Sequence, residues 1–235
     1  MRLATLQPGD VPVPAYLVQT DDGQNILIDS GFPSYFVGDS VEIPGGSKVH
    51  MEDSGFIVNR LSSIGVRPED VQLVVCTHMD GDHAGGHAAF TQAEFVVQRS
   101  HYEIASSSDH PRFAGLRNEW NRPDLRYRFV DGDTELVPGV ELIESSGHVP
   151  GHQSVLVRLP RTGPVLLMID AVFHSSMMDA DTRVVTPIVD MDEAQTRAST
   201  RKLADIARRE NVQLIVYGHD STQWQSLKQA PDYYD

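Results

Sequence analysis

The stretch Thr77-His78-Met79-Asp80-Gly81-Asp82-His83-Ala84-Gly85-Gly86 places two imidazoles and two carboxylates within six residues. These side chains bind borderline and hard divalent metals. Positions 78, 80 and 82 can project to one face, and His83 adds a donor from the adjacent position. Gly81, Gly85 and Gly86 let the backbone bend tightly around an ion. A solvated polar turn capped by Asp82 would account for one of these residues. It accounts for neither histidine nor for the density of donors.

The segment follows VQLVVCT (Val71–Thr77), which reads as a buried strand, and Ala84 to Phe90 reads as the start of a helix behind it. Upstream, Ala15–Thr20 and Asn25–Gly31 read as strands joined through Asp21-Asp22-Gly23. Residues 32–53, with Pro33, Pro44, Gly45 and Gly46 and no period, predict a long surface loop that can cover a site. Phe56, Leu61 and Ile64 predict a short helix ending at Gly65. Downstream come the strand Glu94–Gln98, a helix from His101, and a polar, irregular stretch from Asp109 to Arg126. Four strand-like runs come next (YRFV, VELIES, SVLVRL and VLLMID). Asp190 with Glu193 resembles a capping box, opening a helix whose buried face is Leu203, Ile206 and Ala207. Leu214–Gly218 supplies the closing strand. Strands followed by helices in both halves predict an α/β sandwich, a single domain over residues 1–235.

More donors stand where strands stop: His148 in GHVPGH, Asp170 at the end of VLLMID, and His219 after LIVYG. Strand ends form the rim on which α/β sites are usually built. With the first cluster these residues suffice for two metals. His152 reads as a partner supporting a ligand. His50, His87, His101 and His110 read as surface or satisfied side chains, and Cys76 as a buried thiol.

The 235 residues carry 19 Lys plus Arg against 33 Asp plus Glu, a net charge of −14. That balance opposes a nucleic-acid backbone as partner. Cys76 is the only cysteine, which excludes an internal disulfide and predicts a reducing compartment. The start, MRLATLQPGD, lacks the apolar core of a secretory signal, and no apolar run is long enough to span a bilayer. The expectation is a cytoplasmic protein with neither nucleic acid nor membrane as partner.

The order His78-x-Asp80-x-Asp82-His83, then His148, Asp170 and His219, resembles the H-x-H-x-D-H pattern of metallo-β-lactamase-fold hydrolases. The segments PVPAYLVQTDDGQNILIDSG, DHAGGHAAF, VVQRSHYE, VDGDTELVPGVELIESSGHVPGHQSVLV, GPVLLMIDA and VYGHD are similar to the N-acyl-homoserine lactonases among them. The resemblance implies a four-layer αβ/βα sandwich with two divalent ions, zinc by family habit. It implies one ion on His78, Asp80 and His148, the other on Asp82, His83 and His219, and Asp170 bridging. It also implies a shared hydroxide that opens a lactone, oriented by Asp82 as the catalytic residue.

Two positions depart from the family. Asp80 stands where histidine is usual, which lowers the site charge by one and favours Mn or Fe more than an all-nitrogen site would. Phe173 stands where the lactonases carry a substrate-contacting tyrosine, so its ring is kept and its hydroxyl lost; the adjacent His174 is a candidate substitute. Phe32, Phe36, Phe56 and Phe173 are candidate walls for an acyl chain. A broader lactone or ester hydrolase is the alternative. An acidic residue at position 80 also resembles the flavodiiron oxygen reductases, but only sixteen residues follow His219, too few for a flavin domain. A thiolester hydrolase of the glyoxalase II type would need a longer C-terminal helical region, and an RNA-processing relative a basic surface.

Overall fold

The computed structural model describes residues 1–6, 12–42 and 48–235; Pro8, Pro44, Gly45 and Gly46 lie outside the described residues. The chain opens with β1 (Arg2–Leu6), β2 (Ala15–Gln19) and β3 (Asn25–Ile28). A small hairpin, β4 (Ser40–Glu42) and β5 (Lys48–His50), precedes α1 (Ile57–Ser62) and β6 (Leu73–Val75). From the donor-rich stretch Thr77–Gly86 onward come α2 (Gly81–Ala84), β7 (Glu94–Gln98), α3 (Arg99–Ser107), α4 (Pro111–Ala114), α5 (Arg117–Trp120) and β8 (Arg126–Val130). The second half holds β9 (Thr134–Val137), β10 (Val140–Glu144), β11 (Gln153–Leu159), β12 (Gly163–Leu167), α6 (Glu193–Arg209), β13 (Leu214–Val216) and α7 (Ser221–Trp224).

Two sheets form, in the orders β1-β2-β3-β6-β7-β8 and β13-β12-β11-β10-β9. Alternation along each strand decides what lies between them. Tyr16 and Val18 of β2 share one buried cluster with Val155 and Val157 of β11, so these positions face across the gap between the sheets. Leu17 of β2 points the other way, onto Ile57 and Leu61 of α1. Leu156 of β11 likewise meets Leu203 and Ile206 of α6. Each such aliphatic side chain contributes about 1.5–3 kcal/mol on burial. The result is helix, sheet, sheet and helix in four layers, the α/β sandwich that the sequence predicts.

Several local expectations change. The stretch 32–53 is not all loop, because Ser40 pairs with His50 and Glu42 with Lys48. No continuous helix runs from Ala84 to Phe90; one turn at α2 gives way to a 3-10 turn at His87–Ala89, since Gly85 and Gly86 interrupt it. The irregular stretch 109–126 contains α4 and α5. α6 is capped by Asp192, which accepts the Gln195 amide at 2.9 Å, and not by Asp190. Asp190 is buried and turned inward to His148 and Arg183.

Candidate metal centre

The donors predicted from the sequence converge at strand ends. His78 follows β6, His148 follows β10, Asp170 sits in a 3-10 turn after β12, and His219 follows β13. Asp170 is presented by Ile169, whose φ of 52° lies in the left-handed region. That conformation costs a β-branched residue about 1–3 kcal/mol and is held only where the surroundings fix it. Here Ile169 is buried in the core between the sheets, and Met168 pairs with Val216 at 2.8 Å.

Two groups of donors emerge: His78, His148 and Asp170, and Asp82, His83 and His219. Asp170 joins them. Its Oδ2 lies 3.6 Å from His78 Nε2 and 3.5 Å from His148 Nε2, while its Oδ1 lies 3.4 Å from His83 Nε2 and 3.2 Å from His219 Nε2. Asp82 Oδ2 is 3.8 Å from His83 Nε2 and 3.9 Å from His219 Nε2. Asp80 Oδ2 stands 3.2 Å from His148 Nε2 and 3.6 Å from His78 Nε2. Ligands at about 2.0–2.1 Å from a tetrahedral zinc are about 3.3–3.4 Å from one another, so these spacings suit a metal.

The polar atoms left over also fit a cation. His78 Nε2, His83 Nε2, Asp80 Oδ1 and Asp170 Oδ1 are buried without a hydrogen-bond partner, a costly state unless another group satisfies them. Burial would lower His148, yet Asp190, Asp80 and Asp170 lift it to about 9. Burial also works against His83 and His219, and the surrounding carboxylates, Asp170 first among them, raise both. Burial, then His83, pushes His78 down to about 3. Carboxylates that demand protons on neighbouring imidazoles are answered equally by a metal, which displaces those protons.

Supporting contacts orient the imidazoles, as a metal site requires. His83 Nδ1 faces Asp29, and His219 Nδ1 donates to the Pro12 carbonyl at 2.7 Å. His152 Nε2 accepts the Asp170 amide at 3.2 Å, the supporting role expected from the sequence. His101 ties two strand ends together: its Nε2 accepts the Met79 amide at 2.8 Å and its Nδ1 donates to Pro150 O at 2.6 Å. Gly147, at φ 139°, lets the His148 turn lie against α6, because a Cβ there would overlap the Thr196 backbone. Asp190 and Arg112 escape sequence reasoning. Asp190 has the spacing of a cap, and Arg112 sits in a stretch with no hydrophobic period.

Phe173 lies between two of the imidazoles, 5.3 Å from the His148 ring and stacked at 5.4 Å on His219. The His174 ring is taken up by Ser176 Oγ at 2.9 Å and Asp220 Oδ1 at 3.4 Å. Phe36 is buried and stacks on Phe32 at 5.0 Å, while Phe56 packs on the α1 side of the first sheet.

The four-layer α/β sandwich carries two groups of candidate metal donors at its strand ends, and the pattern of the Metallo-beta-lactamase superfamily matches residues 8–219. An N-acyl homoserine lactonase of a Bacillus species is 34% identical, over 98% of this chain and 91% of its own. The N-acyl homoserine lactonase AttM of Azorhizobium caulinodans is 36% identical, over 96% and 88%. A solved N-acyl homoserine lactone hydrolase, with the product N-hexanoyl-L-homoserine bound at its catalytic metal centre, superposes with a TM-score of 0.86. It is 31% identical and covers 99% of this chain and 98% of its own. The chain belongs to the metallo-beta-lactamase superfamily and stands within it among the N-acyl homoserine lactonases.

Proposed function

We propose that this protein opens the ring of N-acyl homoserine lactones by metal-dependent hydrolysis, and so quenches the signals these lactones carry. The observation that carries this reading is Asp170, whose two carboxylate oxygens serve the two donor groups at 3.2–3.6 Å. His78, Asp80 and His148 would hold one divalent ion, Asp82, His83 and His219 the other, with Asp170 shared. When bound, such a pair polarises the lactone carbonyl and makes water nucleophilic at neutral pH. Zinc suits the imidazole-rich group; the carboxylate of Asp80 also admits Mn or Fe.

Asp82 is the catalytic residue of this proposal. It is the more exposed carboxylate of the set, with 26% of its side chain accessible, and stands beside His83 and His219. It orients the attacking water, takes its proton, and returns a proton to the ring oxygen as the C–O bond breaks. Phe173, stacked on His219, gives the lactone an apolar wall without a hydroxyl.

Among the described residues no helix is long and apolar enough to cross a membrane. With its one buried cysteine, the chain suits the cytoplasm. A pH-stat assay over acyl-homoserine lactones, simple γ-lactones and aryl esters, with metal analysis on the same samples, tests the function. Equal rates on all three classes favour the broader esterase reading, and no turnover with two metals bound sinks the lactonase.

A further inference from the structure

Arg112, at the second position of α4, reaches across to the metal-ligand groups. Its Nη1 donates to the His148 carbonyl at 3.1 Å and its Nη2 to the Val189 carbonyl at 2.7 Å. These two bonds fix the guanidinium, and its Nε then lies 3.3 Å from Asp80 Oδ2. That is the same oxygen that faces His148 and His78. Both side chains of the pair are 14% exposed, so solvent screens their charges weakly. The segment after α4 packs against Gly81. Leu116, between α4 and α5, lies where a Cβ at position 81 would stand.

We propose that Arg112 is the counter-charge of Asp80 and sets the charge of the metal centre. This rests on the two-metal reading of the site. Three carboxylates against two divalent ions leave one net positive charge. The Arg112 guanidinium makes it two, the count that a neutral imidazole at position 80 would give without an arginine. Asp80 and Arg112 therefore act as an exchange pair, each tolerable beside the metals because the other is present. Arg112 is a positioning residue, acting on the metals through Asp80 and not on the substrate.

The test is zinc affinity measured by competition with a chromophoric chelator, alongside melting of the metal-free proteins. Arg112→Met removes the cation and leaves Asp80 unopposed, so the weaker zinc should bind about tenfold more tightly. Arg112→Lys keeps the charge and loses the paired carbonyl bonds, and should stay within about threefold of the parent. Asp80→His leaves the guanidinium beside the ions and should weaken zinc about tenfold. Asp80→His with Arg112→Met should return to within about threefold of the parent.

An arginine that merely ties α4 to two carbonyls predicts a different pattern: weaker zinc in Arg112→Met, the same in Arg112→Lys, and no recovery in the double variant. That pattern overturns the proposal, as does an affinity indifferent to position 112. If Arg112→Met fails to fold, the lysine variant and Asp80→His still decide, because only the charge account separates them. A parent protein that binds about two zinc ions while Arg112 has no effect sinks this inference alone. One that takes up no zinc sinks the two-metal reading with it.

Discussion

Asp29 Oδ2 lies 2.8 Å from His83 Nδ1, with both side chains buried, and this contact ties the end of β3 to the donor-rich turn. The same carboxylate accepts the Thr77 amide at 2.8 Å and the Thr77 hydroxyl at 2.7 Å. One acceptor group therefore satisfies three donors and fixes the His83 ring with Nδ1 on Asp29 and Nε2 turned toward Asp170 Oδ1, 3.4 Å away. Asp29→Asn offers one acceptor oxygen and turns an amide NH2 toward a donor. Zinc affinity should fall about 10–100-fold, and the fold should lose about 1–3 kcal/mol. Chelator competition and thermal melting check this; unchanged zinc retention would remove Asp29 from the account of the site.

Asp80→Ala deletes a donor 3.2 Å from His148 and 3.6 Å from His78, and leaves the Arg112 charge beside them. Metal content after dialysis should drop from about two ions per chain to about one. Elemental analysis on protein never exposed to chelator is the measurement, and two retained ions would show that Asp80 is no ligand.

Phe173→Tyr places a hydroxyl on a ring already seated against His148 and His219. If the lactone lies against this ring, KM for homoserine lactones should fall several-fold, a gain of about 1 kcal/mol from one added hydrogen bond. Stability should change by less than that. Steady-state kinetics on the two proteins separates this from a KM that stays put, which would place the substrate elsewhere.

Gly147→Ala should be among the most damaging small substitutions in the molecule. Its φ of 139° disfavours a side chain, and the new Cβ would meet the backbone of Thr196 in α6. A loss of about 2–4 kcal/mol is expected, together with weaker retention of the ion that His148 would hold under the proposed function. Denaturant melts with and without zinc report both, and a variant as stable as its parent would refute the packing argument.

Burial lowers His87 to about 3 and His101 to about 4, against 6.5 for an ordinary imidazole. Between pH 6.5 and 4 the unfolded chain therefore binds protons that the folded chain refuses. Stability rises with pH in this window and is lost on acidification, by up to about 1.4 kcal/mol per pH unit for each group. His87→Gln in the metal-free protein should flatten the fall in melting temperature between pH 6.5 and 4. Parallel curves for the two proteins would argue that His87 protonates freely in the fold.

Local pattern along the chain was enough to set the α/β class and to point at the site. The near-continuous apolar runs in AYLVQ and in QSVLVRL make strands buried on both faces, and such strands must be covered on both sides; the count of four layers is what the family resemblance implies. The density of donors in THMDGDH, and their recurrence where strands stop, made the site legible because ligand chemistry restricts which residues can serve. Whatever depends on the meeting of distant segments was hidden until the chain folded. Asp190 has the spacing of a helix cap, yet it is spent on His148 and Arg183, leaving the cap to Asp192. Arg112 lies in a stretch without period, and its value comes from standing 3.3 Å from a carboxylate thirty-two positions earlier. Electrostatic and hydrogen-bond partners are set by distance in space, and only packing of the two sheets and their flanking turns brings these residues together.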